Sequence, residues 1–326
     1  MMRLIYRKNE ALPTIKKGFK GVPVKRGRFV GEFDSRSGRG FRQIGDLAIF
    51  VKRFLTKEKG IAKTPLKVLK EDIPKSKDFI LWLGHATFFI SVCGKKILTD
   101  PSFGSIPFKR RLTPPPYRLG ELGEIDYLLV SHGHYDHLDL KSLKGASKIK
   151  EALVPLGMGR LIGRVNKRVA IQEAGWYQRY DTEGVEIFFL PAHHWYRRGF
   201  FDYNRVLWGS FMISCKGVNI YFAGDSGYNR HFREIRELFG YIDIAIMPIN
   251  PPYIVGGSHM SHKETLKAIK DLSPKKVIAM HYGTFDLTLE STKELAEWFK
   301  NLSKNELGEA YKVLLLEIGK PLLLSR

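Results

Sequence analysis

Four short apolar runs in this chain each end on a residue type that binds metal, and this repeated ending constrains the fold more than any other feature. Tyr127-Leu128-Leu129-Val130 leads into Ser131-His132-Gly133-His134-Tyr135-Asp136-His137, and Glu186-Ile187-Phe188-Phe189-Leu190 into Pro191-Ala192-His193-His194. Asn219-Ile220-Tyr221-Phe222-Ala223 leads into Gly224-Asp225, and Lys276-Val277-Ile278-Ala279-Met280 into His281. Runs of this length, rich in β-branched and aromatic residues, read as buried strands. Loops at the ends of neighbouring strands can converge on one site while the sheet fixes their geometry.

The rest of the chain supports that picture. From about residue 78, FILWLGHATFFISVCGKKILTDPSFG reads as paired strands turning at Cys93-Gly94-Lys95-Lys96, and GSFMISC and IDIAIMPI as further strands. Helical patterns, REIRELFG and SHKETLKAIKDL among them, fall between strands. Hairpins first and βα alternation later predict an α+β chain folded as a four-layer αβ/βα sandwich. The 326 residues divide into a basic N-terminal extension, 1–75, packing on a main domain, 76–326. Within the extension, residues 1–45 are Gly-, Lys- and Arg-rich and read as an irregular arm. Leu47, Phe50, Val51 and Phe54 then recur at the spacing of a basic amphipathic helix.

The formal charge is +21, and residues 1–75 hold 20 Lys/Arg against 7 Asp/Glu, a local excess of +13. Such a surface favours anionic partners: phospholipid, nucleic acid or phosphorylated substrates. A solvated thermophile-type surface explains it equally, and only three glutamines occur. No RNA-binding motif is present, which disfavours nucleic acid. Cys93 and Cys215 form no C-x-x-C pair and read as buried thiols in a reducing compartment. No apolar run reaches bilayer length and MMRLIYRKNE lacks a secretory h-region, so the expectation is a cytoplasmic protein, with peripheral contact to an anionic membrane compatible with its charge. Oligomeric state leaves no sequence signal.

The densest ligand stretch shows how two ions could share a site. His132 and His134, two apart on extended chain, project to the same side, and after a turn at Tyr135, Asp136 and His137 fall beside them. Paired ions lie about 3.5–4 Å apart and need a carboxylate reaching both, for which Asp225 is the natural bridge. SHGHYDHLD, with Asp100 in LTDP, His194, Asp225 and His281 following in order, resembles the H-x-H-x-D-H signature of the metallo-β-lactamase superfamily. The resemblance implies that family's fold and two metal sites: His132, His134 and His194 at one, Asp136, His137 and His281 at the other, Asp225 bridging, and Asp100 supporting the ligands from behind. It implies two Zn2+, with Mn2+, Fe2+ or Ni2+ as other divalent candidates. Oxygen-reducing di-iron members resemble H-x-E-x-D, whereas imidazole at His134 favours zinc and hydrolysis.

WLGHATFFI, TPPPYRL, FLPAHHWYRRGFFDYNRVLWGSF, YFAGDSGYNRHFREIRELFG and HMSHKETLKA are similar to the subgroup of N-acylphosphatidylethanolamine-hydrolysing phospholipases D. That similarity implies a metal-dependent phosphodiesterase acting on N-acylated or related phospholipids, in which the metals supply hydroxide at neutral pH. The same fold serves small phosphorylated or lactone substrates, the alternative reading, with a nuclease a remoter one. Asp136 would orient the attacking water, and His259 would orient substrate or protonate the leaving group. Arg197, Arg198, Trp195 and Tyr253 are the substrate-binding candidates. The family's P-x-x-H spacing selects His194 over His193. His85 reads as a hydrogen-bonded structural residue, His231 as a surface residue, and Asp139 and His262 as helix-start residues. Gly133 stands where the subgroup usually carries Asn, His281-Tyr282-Gly283 where it carries His-Trp-Gly, and Asn250-Pro251-Pro252-Tyr253 departs from its P-I-G-A-Y-E-P. These departures leave the metal ligands intact and alter the substrate pocket.

Overall fold

The computed structural model describes residues 4–31, 64–107, 109–250, 257–287, 291–302, 307–308 and 311–324. The amphipathic helix expected near residues 46–57 and the candidate Tyr253 lie outside them.

Two seven-stranded sheets carry the fold. The first runs in the order β17 (Pro321–Leu323), β4 (Phe79–Gly84), β5 (Thr87–Val92), β6 (Lys95–Thr99), β7 (Ile125–Leu129), β8 (Ile149–Pro155), β9 (Ala170–Ala174). The second runs β10 (Gln178–Arg179), β11 (Glu186–Leu190), β12 (Ser210–Cys215), β13 (Val218–Phe222), β14 (Ile242–Pro248), β15 (Pro274–Met280), β16 (Lys312–Leu314). Each begins with antiparallel hairpins and finishes with parallel strands, the change falling between β6 and β7 in one and between β13 and β14 in the other. The central parallel strands β7, β14 and β15 are buried over most of their length because both faces are covered.

Phe88 of β5 meets Phe222 of β13 edge-on with ring centroids 6.4 Å apart, so the sheets pack face to face. Tyr180 crosses the same interface and donates its hydroxyl to the Val154 carbonyl at 2.7 Å. Helices cover the outer faces: α1 (Leu140–Leu143) and α2 (Gly159–Val165) beside the first sheet, α3 (His231–Phe239), α4 (His262–Leu272) and α5 (Thr292–Leu302) beside the second. The expected αβ/βα sandwich is therefore the fold. Ser261 and Glu264 form a capping box that starts α4, and Asp139 caps α1 by accepting from the Lys141 amide, as expected of a helix-start residue.

Residues expected to form an irregular arm contain a small antiparallel sheet, β1 (Ile5–Arg7), β2 (Val22–Lys25) and β3 (Arg28–Phe29). Val22, Val24 and Phe29 are buried, and Ile15 donates its amide to the Tyr177 carbonyl at 2.8 Å. Composition hid this sheet because its strands are only two to four residues long and alternate with Lys and Arg.

The cysteine reading is corrected. Cys93 and Cys215 are not thiols but a disulfide, with Cα atoms 6.5 Å apart across a sequence separation of 122. Cys93 sits at the β5–β6 turn and Cys215 ends β12, so the bond joins the two sheets. Spacing along the chain carried no information about this, because the pairing is created by sheet packing. The inference of a reducing compartment, which rested on free thiols, falls with it. Among the described residues no helix is long and apolar enough to cross a membrane.

Candidate metal centre

Strand ends deliver the ligand-type residues, as their sequence positions require. Asp100 follows β6, His132 follows β7, His194 follows β11, Asp225 follows β13 and His281 follows β15. Ligand-type residues thus come from both sheets, and the candidate centre lies where the two meet. Gly224 makes this close approach feasible: at φ 57° it lies in the left-handed region, and a Cβ there would stand 2.7 Å from the Ser131 Cβ. His85 (φ 53°), Asp100 (φ 33°) and His281 (φ 70°) are also left-handed without being glycine. Such conformations cost energy and persist where surrounding structure enforces them, often at functional sites.

Two groups of ring nitrogens and carboxylate oxygens result. In the first, His132 Nε2 lies 2.9 Å from His134 Nδ1, and His194 Nε2 lies 3.2 Å from the same nitrogen. In the second, Asp136 Oδ2 stands 3.7 Å from His137 Nε2 and 3.6 Å from His281 Nε2. Asp225 lies between the groups. Its Oδ2 is 3.1 Å from His137 Nε2 and 3.9 Å from both His132 Nε2 and His194 Nε2, while its Oδ1 is 3.1 Å from His281 Nε2.

The electrostatics differ between halves. Burial lowers the pKa of His132 and His194 well below the ordinary 6.5 and that of His134 to about 4, so all three imidazoles stay neutral, the form that ligates metal. At His281, burial alone would act the same way, but Asp225 and Asp136 outweigh it and hold the group at about 9. His137 is raised for the same reason. Burial would raise Asp136 and Asp225, but the imidazoles around them, His137 first, hold both well below the usual carboxylate range.

Behind this layer several groups are held by hydrogen bonds. The Asp100 carboxylate accepts from the Ser131 amide at 2.7 Å, the Ser131 hydroxyl at 2.6 Å and His137 Nδ1 at 2.6 Å. Ser131 Oγ also lies 3.0 Å from His132 Nδ1, so Asp100 orients two rings at once. His194 Nδ1 donates to the Ser258 carbonyl at 2.9 Å. His85 is hydrogen-bonded as expected, yet its partner is the centre itself: Nε2 lies 3.1 Å from Asp136 Oδ2. Sequence reasoning missed that link, and the left-handed turn between β4 and β5 that creates it left no motif.

The residues fit divalent metal. His137 Nε2, His281 Nε2 and Asp225 Oδ1 are buried without a hydrogen-bond partner, although such atoms are costly unless something binds them. Nitrogens about 3 Å apart suit ligands held near 2.0–2.1 Å from one tetrahedral ion. Seven expected ligand residues are thus brought together.

Other candidates separate by position. His259 Nδ1 is 4.0 Å from Asp225 Oδ2, with the side chain 26% exposed at the mouth. Trp195 packs edge-on against His134 at 4.7 Å. Arg197 is exposed and donates to the Gly199 carbonyl. Arg198 instead turns inward, donating to the carbonyls of Gly133 at 2.9 Å and Leu138 at 2.9 Å, and so clamps the ligand loop. His193 stands one residue off the first group, and its amide donates to Ser226 Oγ at 2.9 Å. His262 begins α4 and stacks on Trp298. His231, expected at the surface, is fully buried at the start of α3, its Nε2 3.1 Å from Ser226 Oγ. The first turn of that helix faces the core, which the charged pattern further along it concealed.

Gly133 now has a physical reason. A Cβ there would lie 2.4 Å from Cε2 of the buried Tyr196 ring. Gly133→Asn is expected to cost about 1–3 kcal/mol by overpacking, measured by denaturant unfolding, and Tyr196→Ala in the same chain should recover part of the loss. An Asn variant as stable as wild type would refute this account of the departure.

Comparison with known proteins agrees with the geometry. A family model described as a beta-lactamase superfamily domain matches residues 95–282. An N-acyl-phosphatidylethanolamine-hydrolyzing phospholipase D of Caenorhabditis elegans is 30% identical over 230 residues, covering 64% of this chain and 65% of the relative. The chain therefore spans slightly less than two thirds of that relative's length. A metal-dependent hydrolase of Pyrococcus furiosus is 30% identical over 245 residues, 74% of this chain and 98% of the relative. Among solved structures, a metallo hydrolase of Ignicoccus hospitalis superposes with a TM-score of 0.58 at 21% identity, covering 77% of this chain and all 100% of the other, a likeness of fold. With this fold, strand-end ligand-type residues drawn from both sheets and a family match over more than half its length, the chain belongs to the metallo-β-lactamase superfamily.

Proposed function

We propose that the chain is a di-zinc phosphodiesterase of phospholipase D type, cleaving N-acylated or related phospholipids. The observation that carries this reading is the Asp225 carboxylate, within 3.1–3.9 Å of nitrogens from both ligand groups. One group is all imidazole and the other mixes imidazole with Asp136, a donor set suited to zinc. His132, His134 and His194 would hold one ion, Asp136, His137 and His281 the other, and Asp225 both. Bound there, zinc supplies Lewis acidity and a water acidified towards neutral pH.

The chain's own groups do the rest. Even with Asp100 beside them, Asp136 and Asp225 are too few to neutralise two divalent cations, so a loaded centre would stay net positive and attract an anionic diester. Asp136 accepts from His85 and is fixed in orientation, so its carboxylate can align an attacking water. His259 has its pKa lowered, first by burial, and enters as a neutral imidazole that hydrogen-bonds substrate or leaving group. Trp195 and the exposed Arg197 flank the opening, where an amphipathic substrate would present its phosphate and chain. The similarity to the C. elegans enzyme, whose name states hydrolysis of N-acyl-phosphatidylethanolamine, supports the substrate class.

Tyr196 filling the space beside Gly133 favours a second reading, a hydrolase of a small phosphorylated or lactone substrate in a narrowed pocket. Zinc-loaded protein incubated with vesicles containing N-acylphosphatidylethanolamine decides between them. Phosphatidate release that rises with vesicle concentration is expected. No phosphatidate, together with turnover of soluble diesters or lactones, would establish the second reading in its place.

A further inference from the structure

Phe200 and Phe201 are 86% and 83% exposed, and no other phenylalanine among the described residues is exposed. They are held in that position by a built support. Tyr196 and Asn204 close the base of the loop with reciprocal bonds of 3.0 and 2.9 Å. The Asp202 carboxylate accepts from the Gly199 amide at 2.8 Å, the Arg198 amide at 3.2 Å and the Tyr196 hydroxyl at 3.1 Å. Arg198 adds its clamp on Gly133 and Leu138 and lies 4.0 Å above the Tyr135 ring. The fold gains no burial from the two rings, yet many groups are engaged in presenting them, the mark of an interaction surface.

The surroundings identify what they meet. Arg197 and Arg205 on the loop are exposed, and the β2–β3 hairpin brings in exposed Lys25 and Arg26. That hairpin is docked on the loop, with the Phe29 amide donating to the Asn204 carbonyl at 2.7 Å and Arg28 donating to the Tyr203 carbonyl. The loop's one acid, Asp202, is consumed internally. An apolar tip with a cationic skirt matches the layers of a membrane surface, acyl chains beneath and phosphates around. The loop also continues directly into Trp195 and His194, so whatever the tip enters is presented to the metal centre.

We propose that residues 195–205, with the β2–β3 hairpin, form a docking surface for anionic lipid bilayers, Phe200 and Phe201 entering the acyl layer. The proposal rests on the lipid reading above, which it deepens by naming the surface from which substrate is drawn. Full-length, metal-loaded protein sedimented with vesicles of equal parts phosphatidylcholine and phosphatidylglycerol tests it. Wild type is expected to co-sediment, less so in high salt. F200S/F201S should lose about 100-fold in partition, about tenfold for each ring. K25E/R26E should weaken binding to these vesicles but not to phosphatidylcholine alone. Hydrolysis of soluble bis(p-nitrophenyl) phosphate should be equal in wild type and F200S/F201S, reporting an intact centre. Phe-dependent sedimentation, with no phosphatidate released once N-acylphosphatidylethanolamine is included in the vesicles, would keep the docking surface and overturn the N-acyl phospholipid reading. Equal sedimentation of wild type and F200S/F201S, or none by wild type, would overturn the docking surface. So would a wild-type dimer that F200S/F201S converts to monomer without any vesicle binding, which would assign the rings to a second copy.

Discussion

Asp225→Ala is expected to lower kcat by about 10³-fold or more, since it removes a group shared by both halves of an electrostatic centre. The Asp225 carboxylate oxygens lie within 3.1–3.9 Å of ring nitrogens from both ligand groups. Without it, the first group keeps three neutral imidazoles and no anion, and the second keeps Asp136 alone, so two divalent cations would repel one another with little between them. Elemental analysis of purified protein should find two ions per chain in wild type and at most one in the variant. Asp139→Ala is the matched control: it removes a nearby carboxylate that caps α1 and should cost about 1 kcal/mol of stability while leaving metal content unchanged. If Asp225→Ala kept the wild-type metal content and activity within about tenfold, the shared-carboxylate centre would be wrong.

The convergence of the candidate ligand residues was legible because their geometry is local to strand ends. An apolar run fixes where a strand stops, and the residue just past the stop is aimed by the sheet, which is why His132, His194, Asp225 and His281 could be named from sequence. Sheet order was legible only as a class, from hairpins preceding βα alternation. The features that stayed hidden depend on what packs against what. Nothing near His231 in sequence says that Ser226 will bury it, and nothing near His85 says that a left-handed turn will aim it at Asp136. Arg198 illustrates the same limit from the other side. Its charge and its place beside the ligand motif suggested substrate, whereas its guanidinium is engaged by carbonyls of the motif itself.

Cys93–Cys215 is the largest of these hidden features, and its removal should be felt in stability rather than in catalysis. The bond ties the β5–β6 turn to the end of β12, whereas the metal-centre residues follow the opposite ends of β6, β7, β11 and β13. The two sheets are thus fastened at one edge by sulfur, and metal bound at the candidate centre would fasten the other. Closing a loop with a sequence separation of 122 should restrict the unfolded chain by about 5 kcal/mol on the chain-entropy estimate. Cys93→Ser/Cys215→Ser is therefore expected to lose about that much unfolding free energy and about 10 °C or more in Tm, with kcat unchanged. The loss should be larger after chelation, because the metal edge then no longer holds the sheets while the other fastening is gone. Thermal unfolding with and without chelator measures both effects. Two titratable thiols in denatured, unreduced wild type would show that the bond is not formed, and a double variant melting within about 1 °C of wild type would show that it carries no such weight.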